Sequence, residues 1–257
     1  ANAVQVLTDY RASETYDVVW MHKIKLVRDG FISDLQKAQT VVELNKLLEQ
    51  AKNEIDAIID QIPETGAWDG VTKTEPKADE NGVYQITSGD ELAWFADQVN
   101  QGKGSLNAVL CNDISLGGKY WTPIGKSADK TFSGTFDGQG HVIRGLYQDV
   151  ESDFTGLFGV VRGAGASVSH LTVSGNIKLG GRVTYVAGIA GYVAGKNSDA
   201  KAQITDCHSK VSITVTGIRT LDAGVAGVAG YSTNAKITNC SNEATVEIVS
   251  AGRGGLT

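Results

Sequence analysis

Two stretches of this chain, VAGIAGY at residues 186–192 and VAGVAGY at 225–231, are near copies set 39 residues apart. Small residues repeated at a fixed interval point to one structural unit copied along an axis. Aligning outward from the pair exposes more copies. Gly156-Leu157-Phe158-Gly159 matches Gly188-Ile189-Ala190-Gly191 and Gly227-Val228-Ala229-Gly230. A second block follows each: ASVSHL ending at Leu171, AQITDC ending at Cys207 and AKITNC ending at Cys240. A third block alternates through Ile177 and Leu179, Ile213 and Val215, and Val246 and Ile248. HVIRGL, ending at Leu146, reads as one more copy of the second block, 25 residues before Leu171.

The blocks keep their length while the connections vary, which is how stacked coils behave. Alternation of period two puts Ile177, Ile213 and Val246 on one side of their strands. Stacked ~4.8 Å apart, they form an apolar ladder. Leu171, Cys207 and Cys240 occupy another rung, where a thiol replaces an isobutyl group. That favours buried cysteines over reactive ones. A Cys207–Cys240 bridge between rungs is the less favoured reading. Gly is costly in regular structure, so the Gly-Ala blocks imply coil corners or close backbone approach.

Residues 1–62 follow a different period. Leu44, Leu47, Leu48, Ala51, Ile55, Ile58, Ile59 and Ile62 form one helical stripe, started by a capping box at Thr40 and Glu43. Tyr16, Val19, Trp20, Ile24 and Val27 make another, with Gly30 as a break before Phe31, Ile32, Leu35 and Ala38. A bundle of two or three helices follows. Residues 63–82 hold Pro63 and Pro76 without any period and read as a linker or entry segment. Residues 83–257 read as the solenoid. Near its start Ser88 and Glu91 form a second capping box, with Leu92, Phe95, Ala96 and Val99 on one face. An open end of a stack exposes strand edges, so this helix is placed as its cap. At the other end Gly255-Leu256 looks like a further block, and the array is read as truncated there.

Charge is uneven: residues 1–62 sum to −3, 63–154 to −7 and 155–257 to +4. No basic cluster with interleaved aromatics points to nucleic acid. No apolar run reaches the ~18 residues of a membrane span.

The order YQITSGDELAWFADQVNQG, LCNDISL, YWTPIG, FSGTFDGQGHVIRGL, then the GLFG, GIAGY and GVAGY blocks, resembles the right-handed β-helix domains of bacterial cell-surface proteins that carry the GLUG motif. The likeness covers roughly residues 68–257. The first 60 residues, through YRAS and LEQAKNEIDAI, are similar to short helical modules of such proteins. The resemblance implies a mainly β fold, a right-handed parallel β-helix behind an α-helical bundle. It implies an extracellular or cell-surface location, and a stalk or binding surface in a longer adhesin-like chain. It supplies no catalytic residues.

The same architecture hosts polysaccharide lyases and hydrolases, which makes an enzyme the main alternative, with a passive spacer as the third. Sugar hydrolysis takes two carboxyls ~5–10 Å apart. Asp206 aligns with Asn239 and His170, with His208 nearby, and reads as a solvated coil edge. Asp137 in FDGQGH reads as a turn-former beside His141. The histidines His22, His141, His170 and His208 contain no zinc-protease pair. Asp79-Glu80-Asn81-Gly82 reads as a turn rather than a calcium loop. No metal site, cofactor or catalytic set is assigned. Trp68, Trp94 and Trp121 read as packing residues. The expected ligand surface is the variable loops 147–155, 181–185, 195–201 and 217–222, with Tyr147, Asp149, Arg182, Tyr185, Lys196 and Arg219 as candidate contacts for a host protein or glycan. The expected module is monomeric, part of a longer chain, and not inserted in a membrane.

Overall fold

The computed structural model describes residues 2–10, 18–59, 66–217 and 222–249. Tyr16, Ile62, Pro63, Arg219 and residues 250–257 lie outside them, as do the side chains of Val19, Trp20 and Ile59. The chain divides into two compact units, Ala1–Thr65 and Gly66–Thr257.

The first unit is helical: α1 (Ala3–Asp9), α2 (Val18–Leu35) and α3 (Val41–Ile59). Leu7, Ile24, Leu35, Ala51 and Ile55 form its buried core, flanked by Leu44, Leu47, Leu48 and Ile58 from the predicted stripe. The Thr40 hydroxyl accepts from Glu43 N at 3.1 Å, while the Glu43 carboxylate accepts from Gln39 N at 3.0 Å. The box therefore forms with its return bond one residue upstream of the usual place. Gly30 does not break α2. It sits inside the helix with open space where a Cβ would stand. The packing of Phe31 and Ile32 onto the core outweighs the ~1 kcal/mol helical cost of glycine.

The second unit is a parallel β-helix of about four turns. Three ladders run along it. The first stacks Phe154–Thr155, Tyr185–Ala187 and Gly224–Ala226; the second stacks Phe158–Arg162, Ala190–Ala194 and Ala229–Thr233. The third is an 11-stranded sheet whose centre is the parallel pair Ser167–Gly180 and Ala202–Thr216. Ile213 lies opposite both Ile177 and Val246, as the alternation requires. Leu171 lies opposite Cys207, and the flanking pairs Thr205–Thr238 and His208–Ser241 put Cys240 on the same rung. Both thiols are free. Cys207 Sγ donates to Val168 O at 3.7 Å and Thr205 O at 3.3 Å; Cys240 repeats the pattern one coil on, with Ile204 O and Thr238 O. Burial pushes the Cys207 thiol up to about 12, and the neighbouring Cys240 adds to it.

One register differs from the sequence alignment. Phe136 lies opposite Val168, Ile143 opposite Val173 and Leu146 opposite Gly175, so HVIRGL belongs beside residues 171–175, not beside ASVSHL. The true counterpart of the second block is TFDGQG. Thr135 faces Ser167, 32 residues on, which brings this coil close to the length of its neighbours.

The cap is helix α4 (Gly89–Asn100). Leu92, Phe95 and Val99 are fully buried, and the Phe95 ring meets Phe132 at 6.1 Å and Phe136 at 6.0 Å. Residues 66–82 pack with the solenoid. Trp68 N donates to Ser115 O, and its ring meets the buried Trp121 edge-on at 5.6 Å. Asp79 accepts from Asn81 N and Val83 N, closing the turn of an antiparallel hairpin, Lys77–Ala78 with Tyr84–Ile86. On the last described coil Tyr231, Ile237, Ile248 and Val249 are exposed.

Candidate binding surface

The copied heptads build an aromatic ladder on the outside of the solenoid. In each, one strand joins the first ladder and the next joins the second, and the turn between them brings their backbones into van der Waals contact. A Cβ on Gly191 would lie 2.8 Å from Tyr185 O and 3.0 Å from both Gly159 O and Thr155 N. One on Gly230 would lie 2.7 Å from Val186 N and 2.8 Å from Gly191 O. Only glycine fits there, and the close approach brings the flanking side chains together. Tyr192 and Tyr231 lie in register and stack at 5.4 Å with planes 8° apart. Tyr185 sits 5.5 Å from Tyr192 and 5.0 Å from Tyr231, and Phe154 closes the cluster at 6.1 Å from Tyr185. Gly224 lies opposite Tyr185, where a Cβ would strike Gly230 O and stand 3.4 Å from the Tyr185 ring. Burial among these rings raises the Tyr185 hydroxyl, with Tyr231, Tyr192 and Asp222 adding to the effect.

Four of the six predicted contacts share one loop edge. Tyr147 ends a strand and donates its hydroxyl to Asp149 at 2.8 Å, which raises the tyrosine above its ordinary range. One coil on, Arg182 and Tyr185 occupy the stacked loop. Thr184 Oγ1 donates to Asp153 Oδ1 at 2.9 Å and Tyr185 N donates to Asp153 O, tying the two loops. Arg219 lies outside the described residues. Lys196 is elsewhere: it follows Ala190–Ala194, on the edge between the second and third ladders.

The Asp and His residues gather at a third place, the bend of the long strands. His170, Asp206 and Asn239 all adopt positive φ, between 49° and 54°, as does Gln139 in the preceding coil. This is the left-handed region that Asn, Asp and His enter more readily than other side chains. The aligned polar position is thus a coil corner. The His170 ring is held between coils, with Nδ1 2.9 Å from Asp137 Oδ1 and Nε2 3.6 Å from Asp206 Oδ2. Asp137 also accepts from Gln139 N at 2.9 Å, the turn role expected of it. His208 Nδ1 lies 2.8 Å from Ser241 Oγ. Below, Asp113 accepts from Val142 N and Arg144 NH1 and meets His141 Nδ1 at 3.1 Å. Partial burial works against ionisation of Asp113, yet these partners together hold its carboxyl below the usual range. Among the described residues no cluster of three or more His, Cys, Asp or Glu could hold a metal ion. His22 is exposed on α2.

Sequence reasoning named Tyr185 but passed over Tyr192, Tyr231 and Asp113. The two tyrosines carried a usable signal: each is the last letter of the copied heptad. Asp113 carried none, because its partners lie 28 to 31 residues away.

Residues 223–247 match the family model described as the GLUG motif. No curated protein and no solved structure matches the chain. The matched residues contain the second heptad, the strand to Thr238 and the closing rung at Val246. The second unit is therefore a parallel β-helix with a GLUG motif at residues 223–247, an arrangement that fits a surface or repeat protein.

Proposed function

We propose that this chain is a non-catalytic, extracellular module of a bacterial surface protein, which recognises a glycan or a protein of another surface through loops on a rigid solenoid. The observation that carries this reading is the separation of rigid and variable parts. Rungs and ladders are continuous from coil to coil, while residues 149–153, 181–184 and 195–201 project at the edges with differing lengths and charge. Ordered scaffolds with divergent stacked loops are how repeat proteins present extended binding surfaces. An outward row of tyrosines, apolar in body and polar at the tip, suits such recognition.

A polysaccharide-cleaving activity is the second reading, favoured by one observation: Asp137 and Asp206 face the same imidazole. Against it, that ring fills the space between the carboxylates where a sugar and water would stand. The test is a panel of immobilised glycans and surface proteins beside an activity screen on polysaccharides. The binding reading expects hits lost on replacing loop 181–184 or 195–201 by a short turn and kept in Asp137→Asn and Asp206→Asn. Cleavage abolished by those two changes would overturn it.

A further inference from the structure

The edge between the second and third ladders holds an open depression of about 450 Å³, lined by Ala128, Thr131, Arg162, Gly163, Ala164, Gly195 and Lys196. We propose that it binds the anionic groups of an acidic glycan, with Arg162 and Lys196 as the recognising cations. The inference rests on the surface-recognition reading above and gives it a place and a ligand class.

The argument begins with charge. Among the described residues, three Lys or Arg side chains of the solenoid meet carboxylates: Lys73 meets Asp97, Arg144 meets Asp113 and Lys210 meets Glu243. Arg162 and Lys196 are both exposed and line one concavity, and their side chains make no ion pair or hydrogen bond among the described residues. The loops that form this edge, 126–131, 162–166 and 195–201, carry Lys126, Lys130, Arg162, Lys196 and Lys201 against Asp129 and Asp199. Asp129 pairs with none of these cations, and Asp199 accepts from the neighbouring Ser198 hydroxyl. In a chain of net charge −6 this edge is locally positive. Arg162, Lys196 and Lys201 against Asp199 supply +2 of the +4 carried by residues 155–257.

The second part is rigidity. Arg162 is the last residue of its strand, in register with Ala194 of the next coil. Arg162 N donates to Phe132 O at 2.7 Å and Gly163 N donates to Ala194 O at 3.0 Å. Lys196 N donates to Ala200 O at 2.8 Å, and Asn197 Oδ1 accepts from Asp199 N and Ala200 N, closing the loop on itself. A Cβ on Gly195 would strike Asn234 O and Ala200 O, so the floor is fixed by close backbone contact. The backbone that carries the two cations is therefore fixed by the ladder before any ligand arrives, which leaves only the two side chains to be ordered on binding. A planar guanidinium grips a carboxylate or sulfate through two parallel N–H bonds, and an ammonium one coil away takes the next charge. An open concavity lined from adjacent coils fits a chain of charged sugars better than a compact metabolite. The source of the charge, uronate or sulfate, is decided by experiment.

The experiment measures binding of the full chain to a uronate oligosaccharide, a sulfated oligosaccharide and a neutral oligosaccharide of equal length. The same is done for Arg162→Gln/Lys196→Gln and for a charge-matched control, Lys77→Gln/Lys178→Gln, at exposed strand positions. The expected result is binding of one acidic oligomer and not the neutral one. Affinity should fall at least about tenfold in the first variant and less than about twofold in the control. Affinity should also weaken as salt rises from 0.05 to about 0.5 M, since exposed charges are screened. Unchanged affinity in Arg162→Gln/Lys196→Gln, or equal loss in the control, would overturn the assignment. Neutral glycans or proteins bound through loop 181–184 would overturn it while leaving the surface-recognition reading intact. No ligand on any panel would sink both.

Discussion

Replacing Gly191 by Ala tests the link between the copied heptad and the architecture. A methyl group there would stand 2.8 Å from Tyr185 O and 3.0 Å from Gly159 O and Thr155 N. All three are backbone atoms of neighbouring strands, so relief requires moving a strand, not a side chain. Gly191 has no positive φ, so the cost is steric rather than conformational. Overpacking of this kind costs about 1–3 kcal/mol. Lower entropy of the unfolded chain offsets about 0.4–1 kcal/mol of that. A net loss of about 1–2 kcal/mol corresponds to a fall in melting temperature of roughly 2–8 °C for a unit of this size. The matched control is Gly180→Ala, in the strand Ser167–Gly180, where the nearest atom to a new Cβ is Thr216 O at 3.6 Å. Gly180→Ala should be neutral or raise the melting temperature slightly. Thermal unfolding followed by far-ultraviolet circular dichroism reads both. Equal melting temperatures for the two variants would refute the steric account of the heptad.

Three further outcomes follow from the same structure. Gly30→Ala, inside α2 with open space around the new methyl, should stabilise the helical unit by up to about 1 kcal/mol in chemical denaturation; a destabilisation would show that the helix is broken there after all. Cys207 has a folded-state value of about 12 against an ordinary 9, so its neutral form is favoured in the native state. Stability owed to it is intact below pH 9 and is lost as pH rises toward 12, and Cys207 should resist thiol reagents near neutral pH until the chain unfolds; rapid native labelling would contradict its burial. Asp69, held to about 2 by the Thr72 hydroxyl and the Thr72 and Val71 N–H groups, should keep the turn that carries Trp68 intact above pH 3.8 and release it as pH falls through 2; tryptophan fluorescence that titrates the same way in Asp69→Asn would contradict this.

The rungs were legible because a parallel stack imposes identical side-chain periods on every coil, and Ile177, Ile213 and Val246 keep them. The cap was legible because an amphipathic helix beside a stack has one apolar face to bury. The register of HVIRGL was not. Other coils turn the corner with a single left-handed residue, whereas residues 138–141 form a wider turn through Gln139 and Gly140. That difference slides the downstream apolar residues, and Ile143 and Leu146 then imitate the wrong block. The docking of residues 66–82 was hidden for another reason: it depends on one ring, Trp68 against Trp121, and a single contact has no period. Of the candidate surface, the loops were legible as interruptions of the repeat. Which loops share an edge was not, because that depends on how many sides each coil has. Lys196 was accordingly grouped with Tyr147 and Arg182, although it stands beside Arg162.

The in-register parallel stack is tested most directly by pairing outward residues of adjacent coils. Ser174 lies opposite Lys210 in the strands Ser167–Gly180 and Ala202–Thr216. Neighbouring strands are ~4.8 Å apart, within the ~4.4–6.8 Å Cα separation that a disulfide spans. Ser174→Cys/Lys210→Cys should form that disulfide under mild oxidation, mapped by mass spectrometry, and Ser174→Cys/Ser212→Cys, two residues out of register, should not. Cross-linking of the shifted pair, or of neither, would contradict the stacked coil.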